Sequence, residues 1–252
     1  FMTSLKAIIF DVDGTLAETE RDGHRVAFNR SFNAVNLDWC WSESLYGELL
    51  QIAGGKERIR YYIEQYQPDF TPDEGRDRFI AQLHQAKTQY YLELLKTGKM
   101  PLRPGVKRLI TEAHNAGIRL AIATTSALPN AVALLEQTLN PHWFEVIAAG
   151  DIVPAKKPAP DIYYYVLEQM QLQPSDCLVF EDSEHGLEAA AKVGIKTIVT
   201  ANNYTRQQDF SEAVLVVDCL GERDRPCKVL SKQQLPVPYL DLAYLRQLHQ
   251  VD

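Results

Sequence analysis

Near the amino end an apolar run, Ala7 to Phe10, is unbroken by any polar residue, the pattern of a strand buried on both faces of a parallel sheet. From about residue 18 to residue 100 such short runs stop, and apolar positions recur at helical spacing instead. Phe79, Leu83, Tyr90, Tyr91, Leu94 and Leu95 fall mainly three and four residues apart, which predicts an amphipathic helix. Thr71, Pro72 and Glu74 have the spacing of a capping box with proline at the first helical position, and Gly98 stands where the helix would stop.

From Leu102 onward the two periods alternate. Strands are predicted over residues 119–125, 146–149, 177–181, 196–200 and 213–217, and helices over 130–139, 162–170 and 186–193. This alternation implies βαβ units and a mostly parallel sheet. The first strand finds no partner in the helical stretch, so it must join the later sheet. The predicted fold is therefore α/β: a parallel-sheet core of residues 1–17 and 101–252, with an all-helical cap domain of residues 18–100 inserted over the carboxyl edge of the sheet. The pattern from residue 228 to residue 252 assigns that segment no role.

A chain of 252 residues with 46% hydrophobic composition can bury a full core. Its formal charge of -7 excludes a global nucleic-acid surface, so any phosphate must be held by local basic residues. The expected partner is a small molecule, with no nucleic acid and no membrane, since no apolar run reaches a spanning length. Cys40, Cys177, Cys219 and Cys227 contain no C-x-x-C pair and read as reduced thiols. The expected location is cytoplasmic, or plastid if a transit segment has been removed, and the expected state is a monomer.

Asp11 and Asp13, followed by Gly14, leave the first strand. Residues two apart on a strand share a face, and two carboxylates roughly 6 to 7 Å apart repel by about 2 to 3 kcal/mol at an effective dielectric of about 20. A solvated turn with positive φ at Gly14 is the competing reading of these residues taken alone. Thr124, Thr125 and Ser126 end a second strand, where their hydroxyls suit either a phosphate or a helix cap. Lys156 and Lys157 precede a proline-bounded turn, and Glu181 and Asp182 end a third apolar run. Four acids converging on one edge require a metal or a lysine among them. An all-oxygen donor set suits Mg²⁺ and disfavours zinc.

The DVDGT segment, the hydroxyl-ended strand, KPxPD and EDS, in this order, resemble the four motifs of the haloacid dehalogenase (HAD) superfamily. Members carry a Rossmann-like core, and the subgroup with a helical cap after the first motif matches this organisation. The resemblance implies that Asp11 is a nucleophile forming an aspartyl phosphate and that Asp13 is the general acid and base. It further implies that Asp11, the Asp13 backbone carbonyl and Asp182 hold Mg²⁺, with Glu181 as a ligand or behind one. Thr124, Thr125 and Lys157 would neutralise the phosphoryl oxygens.

Within the cap, Glu20 and His24, then Gly54, Gly55, Lys56 and Arg58, and later Lys87, resemble CbbY-like phosphatases, which act on xylulose 1,5-bisphosphate and so clear an inhibitory by-product of Rubisco. Gly54 and Gly55 let backbone amides approach an anion, and Lys56 and Arg58 add charge suited to a second phosphate. Lys87 lies inside the apolar stripe of its helix, where it either snorkels or points at the site. His24, Thr125 and Ser126 complete the expected substrate contacts. His185 departs from the usual EDSxxG pattern. The competing functions are a β-phosphoglucomutase-like mutase, a phosphoglycolate phosphatase and a non-catalytic phosphosugar sensor.

Overall fold

The computed structural model describes residues 4–98, 100–232 and 235–251. Six parallel strands form one sheet in the order β3-β2-β1-β4-β5-β6: β1 Ala7–Phe10, β2 Arg119–Thr124, β3 Phe144–Ala149, β4 Cys177–Glu181, β5 Lys196–Thr200 and β6 Leu215–Val217. The first strand is central, with Phe10 opposite Ile122 on one side and Phe180 on the other. This is why its four residues are all apolar and fully buried.

Side-chain alternation along β1 divides the core into two layers. Ile8 and Phe10 pack with Leu109 and Ile110 of α5 (Val106–Asn115) and with Leu134 of α6 (Leu128–Thr138). Ala7 and Ile9 face the other way, onto Tyr163 and Val166 of α7 (Asp161–Met170) and Ala190 of α8 (Glu184–Val193).

Between β1 and α5 lie a π-helical turn, Glu20–His24, and four helices: α1 Arg25–Ala34, α2 Glu43–Leu49, α3 Gly55–Tyr66 and α4 Arg76–Leu95. They enclose their own aromatic core, in which Phe28, Phe32, Trp41 and Tyr46 are fully buried. The chain leaves the sheet and returns to it side by side, since Ala17 and Leu102 form an antiparallel bridge and Arg103 N–H donates to Leu16 O at 2.8 Å.

Two sequence expectations are revised. α4 starts at Arg76, after Gly75 at φ +86°, because Pro72 belongs to a turn closed by Gly75 N–H on Pro72 O at 3.1 Å. The segment after residue 228 has structure: Leu240 and Leu245 are fully buried, the latter in α9, Leu242–Gln250. Asp241 caps α9 by accepting from Tyr244 N–H at 2.8 Å. No helix among the described residues is long and apolar enough to cross a membrane.

Candidate active site

The parallel register sets the carboxyl ends of β2, β1 and β4 side by side, where open α/β sheets bind their ligands. Asp11 and Asp13 follow β1, Thr124 ends β2 with Thr125 and Ser126 beyond it, and Glu181 ends β4 before Asp182. Gly14 lies at φ +87°, and a Cβ there would collide with the Asp182 carboxylate, so glycine permits the close approach of the two loops.

Lys157 enters from the segment between β3 and α7 and donates to Asp11 Oδ1 at 2.9 Å, Ala123 O at 2.8 Å and Glu181 Oε1 at 2.5 Å. Tyr163 O–H donates to the same Glu181 oxygen at 2.5 Å. Burial would lower the Lys157 pKa, but Asp11 and Glu181 outweigh it and hold the ammonium well above its ordinary value. One cation shared between two carboxylates does not offset the burial of Asp11, whose carboxyl is pushed up to about 8. Burial, reinforced by Asp11 and Glu181, also pushes Asp182 well above the usual carboxylate range.

Asp11, Glu181 and Asp182 are all buried and each offers an oxygen within 4.8 Å of the others. Asp182 Oδ2 accepts from Asn202 Nδ2 at 2.6 Å. Three buried carboxyl groups share one lysine there. That donor set fits a hard divalent cation such as Mg²⁺.

Asp13 has the opposite surroundings. Its Oδ1 accepts from Thr19 Oγ1 and meets His24 Nε2 at 2.8 Å, while His24 Nδ1 lies 2.8 Å from Lys87 Nζ. An ammonium only donates, so His24 Nδ1 accepts and its proton resides on Nε2, aimed at Asp13. The imidazole stacks on Tyr91 with centroids 4.1 Å apart, and the Lys87 ammonium lies 4.7 Å from the Phe28 ring centre. Burial would raise Asp13, but the positive edge of His24, the hydrogen bonds from His24 and Thr19, and the Lys87 charge hold it well below the usual range. Burial lowers Lys87 to about 8 against the pull of Glu20 and Asp13.

These groups open onto a cavity of about 510 Å³ walled by Asp11, Asp13, Lys157, Glu181 and Asp182 from the sheet side and by Glu20 and Arg58 from the helical side. Thr124 and Thr125 also line it, and Thr124 Oγ1 accepts from Ser126 N–H at 3.1 Å, which shapes the loop after β2. Glu20 accepts from Tyr46 O–H at 2.5 Å. Arg58 donates to Leu49 O, Tyr46 Oη and Ile52 O at 3.0, 3.2 and 3.1 Å, so it braces the loop at the cavity rim. A guanidinium has five N–H groups, and two remain for a ligand.

His24, Gly54, Gly55, Lys87 and Ser126 line a recess of about 30 Å³ that Asp13, Glu20, Arg58 and Thr125 also border. Lys56 is placed apart from the acids: it pairs with Asp151 in a separate hollow of about 170 Å³, where Lys156 Nζ holds the other Asp151 oxygen at 2.7 Å. His185 lines the large cavity.

Sequence reasoning passed over Tyr46, Tyr163 and Asn202. Tyr163 lies in the apolar stripe of α7, where spacing speaks only of core. Asn202 follows β5, so its place beyond a strand's carboxyl end was the available signal.

A family model described as haloacid dehalogenase-like hydrolase matches residues 5–194. The chain is 43% identical to protein CbbY (plasmid) of Cupriavidus necator over 97% of each chain. It is 49% identical to CbbY of Rhodobacter capsulatus over 83% of this chain and 91% of that one. It also resembles the crystal structure of a CbbY mutant from Rhodobacter sphaeroides in complex with xylulose-(1,5)bisphosphate, with a TM-score of 0.81, 44% identity and coverage of 87% of this chain and 96% of that one.

Proposed function

The chain belongs to the haloacid dehalogenase-like hydrolases and, within them, to the CbbY group, and on that premise we propose that it converts xylulose 1,5-bisphosphate to xylulose 5-phosphate and phosphate. It is a sugar-phosphate phosphatase. The observation that carries the mechanistic reading is the separate placement of Asp11 and Asp13, two residues apart: Asp11 Oδ1 faces Lys157 Nζ at 2.9 Å on the sheet side, while Asp13 Oδ1 is held by Thr19 and by His24 Nε2 from the helical side.

Asp11 is the nucleophile. Its carboxylate attacks phosphorus, the bond from phosphorus to the sugar oxygen breaks, and an aspartyl phosphate results. With substrate bound, the phosphoryl charge beside Asp13 favours its protonated form, and Asp13 gives that proton to the leaving sugar oxygen. With Thr19 and His24 stabilising its carboxylate, it then takes a proton from the water that attacks the aspartyl phosphate. Lys157, with Thr124 and Thr125, faces the charge on the transferring phosphoryl group.

Asp11, Asp182 and the Asp13 backbone carbonyl would hold Mg²⁺, with Glu181 behind them keeping Lys157 in place. When bound, the cation neutralises phosphoryl charge and favours ionised Asp11. Residues 18–100 act as the cap domain, and Glu20, Arg58, His24, Lys87, Ser126 and the amides at Gly54 and Gly55 receive the rest of the sugar bisphosphate. Lys56 enters this set only if it exchanges Asp151 for the second phosphate.

The test is phosphate release with Mg²⁺ across xylulose 1,5-bisphosphate, phosphoglycolate and glucose 1-phosphate. The bisphosphate is expected to give the highest kcat/KM. Equal turnover of phosphoglycolate would sink the substrate assignment, and isomerisation of a glucose phosphate without net release would make the protein a mutase.

A further inference from the structure

Beyond β6 the chain folds back on itself. Val217 bridges Val229 antiparallel, and the flanking bonds run from Leu230 N–H to Val216 O at 2.8 Å and from Asp218 N–H to Lys228 O at 3.0 Å. Bonds in those positions make Val217 and Val229 a pair whose own amides point away from each other. Such pairs recur every two residues on the same face, and continuing that register sets Cys219 opposite Cys227, although Lys228 N–H turns to Asp218 Oδ1 at 2.7 Å and the backbone ladder is interrupted there. Cys227 N–H does point away, donating to Pro238 O at 2.9 Å. Glu222 and Arg225 exchange backbone bonds of 2.8 and 3.3 Å further on, one residue out of the Val217–Val229 register, so the two arms stay close past both cysteines with a shift between them.

Non-hydrogen-bonded antiparallel pairs hold their Cα atoms about 4.5 Å apart, inside the range of about 4.4 to 6.8 Å that a disulfide bridges. Both cysteines are free thiols, Cys219 buried and Cys227 half-buried. We propose that Cys219 and Cys227 form a reversible disulfide that staples this hairpin.

The hairpin holds more than itself. Asp218 O accepts from Arg103 Nη2 at 2.6 Å, and Arg103 also donates to Gly14 O in the catalytic loop. Gly221 O and Leu240 O both accept from Arg108 Nη2 at 2.9 Å, and Leu240 N–H returns to Leu220 O at 2.9 Å. The staple therefore fixes the segment that seats the carboxyl-terminal helix.

The oxidant is a low-molecular-weight disulfide. Cys227, the more exposed thiol, loses its proton and attacks one sulfur, expelling one small thiolate and leaving a mixed disulfide. Deprotonated Cys219 then attacks the Cys227 sulfur and expels the second. Two protein thiols are oxidised while one small disulfide becomes two thiols. Burial pushes Cys219 up to about 11 and raises Cys227 as well, so the exchange is faster at pH 9 than at pH 7.

The folded protein is treated with oxidised glutathione, then mapped by mass spectrometry with and without dithiothreitol. A linked peptide pair containing Cys219 and Cys227, released by dithiothreitol, is expected. In Cys219→Ser, Cys227 should instead retain glutathione as a stable mixed disulfide. The linked wild type should melt on the order of 5 °C above its reduced form, a rise that Cys227→Ser, treated identically, does not show. Persistent glutathione on Cys227 of the wild type, linkage chiefly through Cys40 or Cys177, or a melting point unchanged by linkage overturns the proposal.

Discussion

His24 places Nε2 2.8 Å from Asp13 Oδ1 while its Nδ1 accepts from Lys87, so the imidazole is locked into one tautomer and Asp13 into one position. The buried ammonium fixes the tautomer, and the stack on Tyr91 fixes the ring plane. His24→Asn keeps a polar group but breaks this chain. If Asp13 is the acid and base proposed above, turnover should fall on the order of 100-fold with KM changed far less, because the loss is then felt in its proton transfer. Asp13→Asn should lose about 10²- to 10⁴-fold. Steady-state kinetics on both variants decide this, and a His24→Asn enzyme altered only in KM would leave His24 a substrate contact with no part in holding Asp13.

Lys157 satisfies Asp11, Glu181 and the Ala123 carbonyl at once. Lys157→Ala leaves two buried carboxylates without their cation, a change that typically costs about 3 to 5 kcal/mol. Burial already holds Asp11 at about 8 with Lys157 in place, and loss of that cation raises it further, so the deficit against wild type should be smaller at pH 7, where the carboxyl is protonated in both proteins, than at pH 9, where only the wild type has released the proton. Urea unfolding at the two pH values measures it. A deficit independent of pH would mean that packing, not charge, is what Lys157 supplies.

Lys87 carries a pH signature. Its pKa falls from 10.5 to about 8 in the folded chain, so above pH 8 the unfolded chain binds the proton more tightly. The penalty of burying the charge is present below about pH 8 and is relieved as pH rises toward 10.5. The wild type should therefore gain up to about 1.4 kcal/mol per pH unit in that window relative to Lys87→Met. Methionine also leaves His24 Nδ1 unpaired, which offsets both ends of the comparison equally and leaves the slope as the readout. Parallel stability curves from pH 7 to pH 9.5 would show that Lys87 keeps an ordinary pKa.

Much of this site was legible because parallel strands buried on both faces leave short apolar runs, as at Ala7 to Phe10, and ligand groups follow their carboxyl ends. The ranges predicted for β2, β4 and β5 differ from those observed by at most one residue. Sequence reasoning was weakest where local signals compete with tertiary contacts. Thr71 to Glu74 has the composition of a cap, yet Gly75 is the residue that precedes α4 and the helix starts at Arg76. Leu240, Leu242 and Leu245 carry too short a pattern to announce α9, which depends on packing against residues more than 100 positions earlier, such as Glu112, whose side chain accepts from Leu242 N–H at 3.2 Å. Lys87 looked ambiguous within its stripe because the partner that accounts for its burial, His24, lies 63 residues away.

Asp182 is buried at 7% exposure beside Asp11 and Glu181, and its raised pKa means that the folded chain holds a proton which the unfolded chain releases above about pH 4. Its contribution thus turns unfavourable as pH rises, and at pH 7 the penalty is in place. Asp182→Asn removes it while leaving an oxygen to accept from Asn202 Nδ2. In chelator, the variant should therefore melt above the wild type, by roughly 2 to 4 °C for each kcal/mol recovered. Saturating Mg²⁺ stabilises whichever folded state binds it, by about 2.7 kcal/mol at one hundred times the dissociation constant. The wild type, with its full acid set, should take most of that gain, and the variant little. The melting order is then reversed between chelator and Mg²⁺, a crossover visible without any turnover. Equal Mg²⁺ shifts in the two proteins would place the cation away from Asp182.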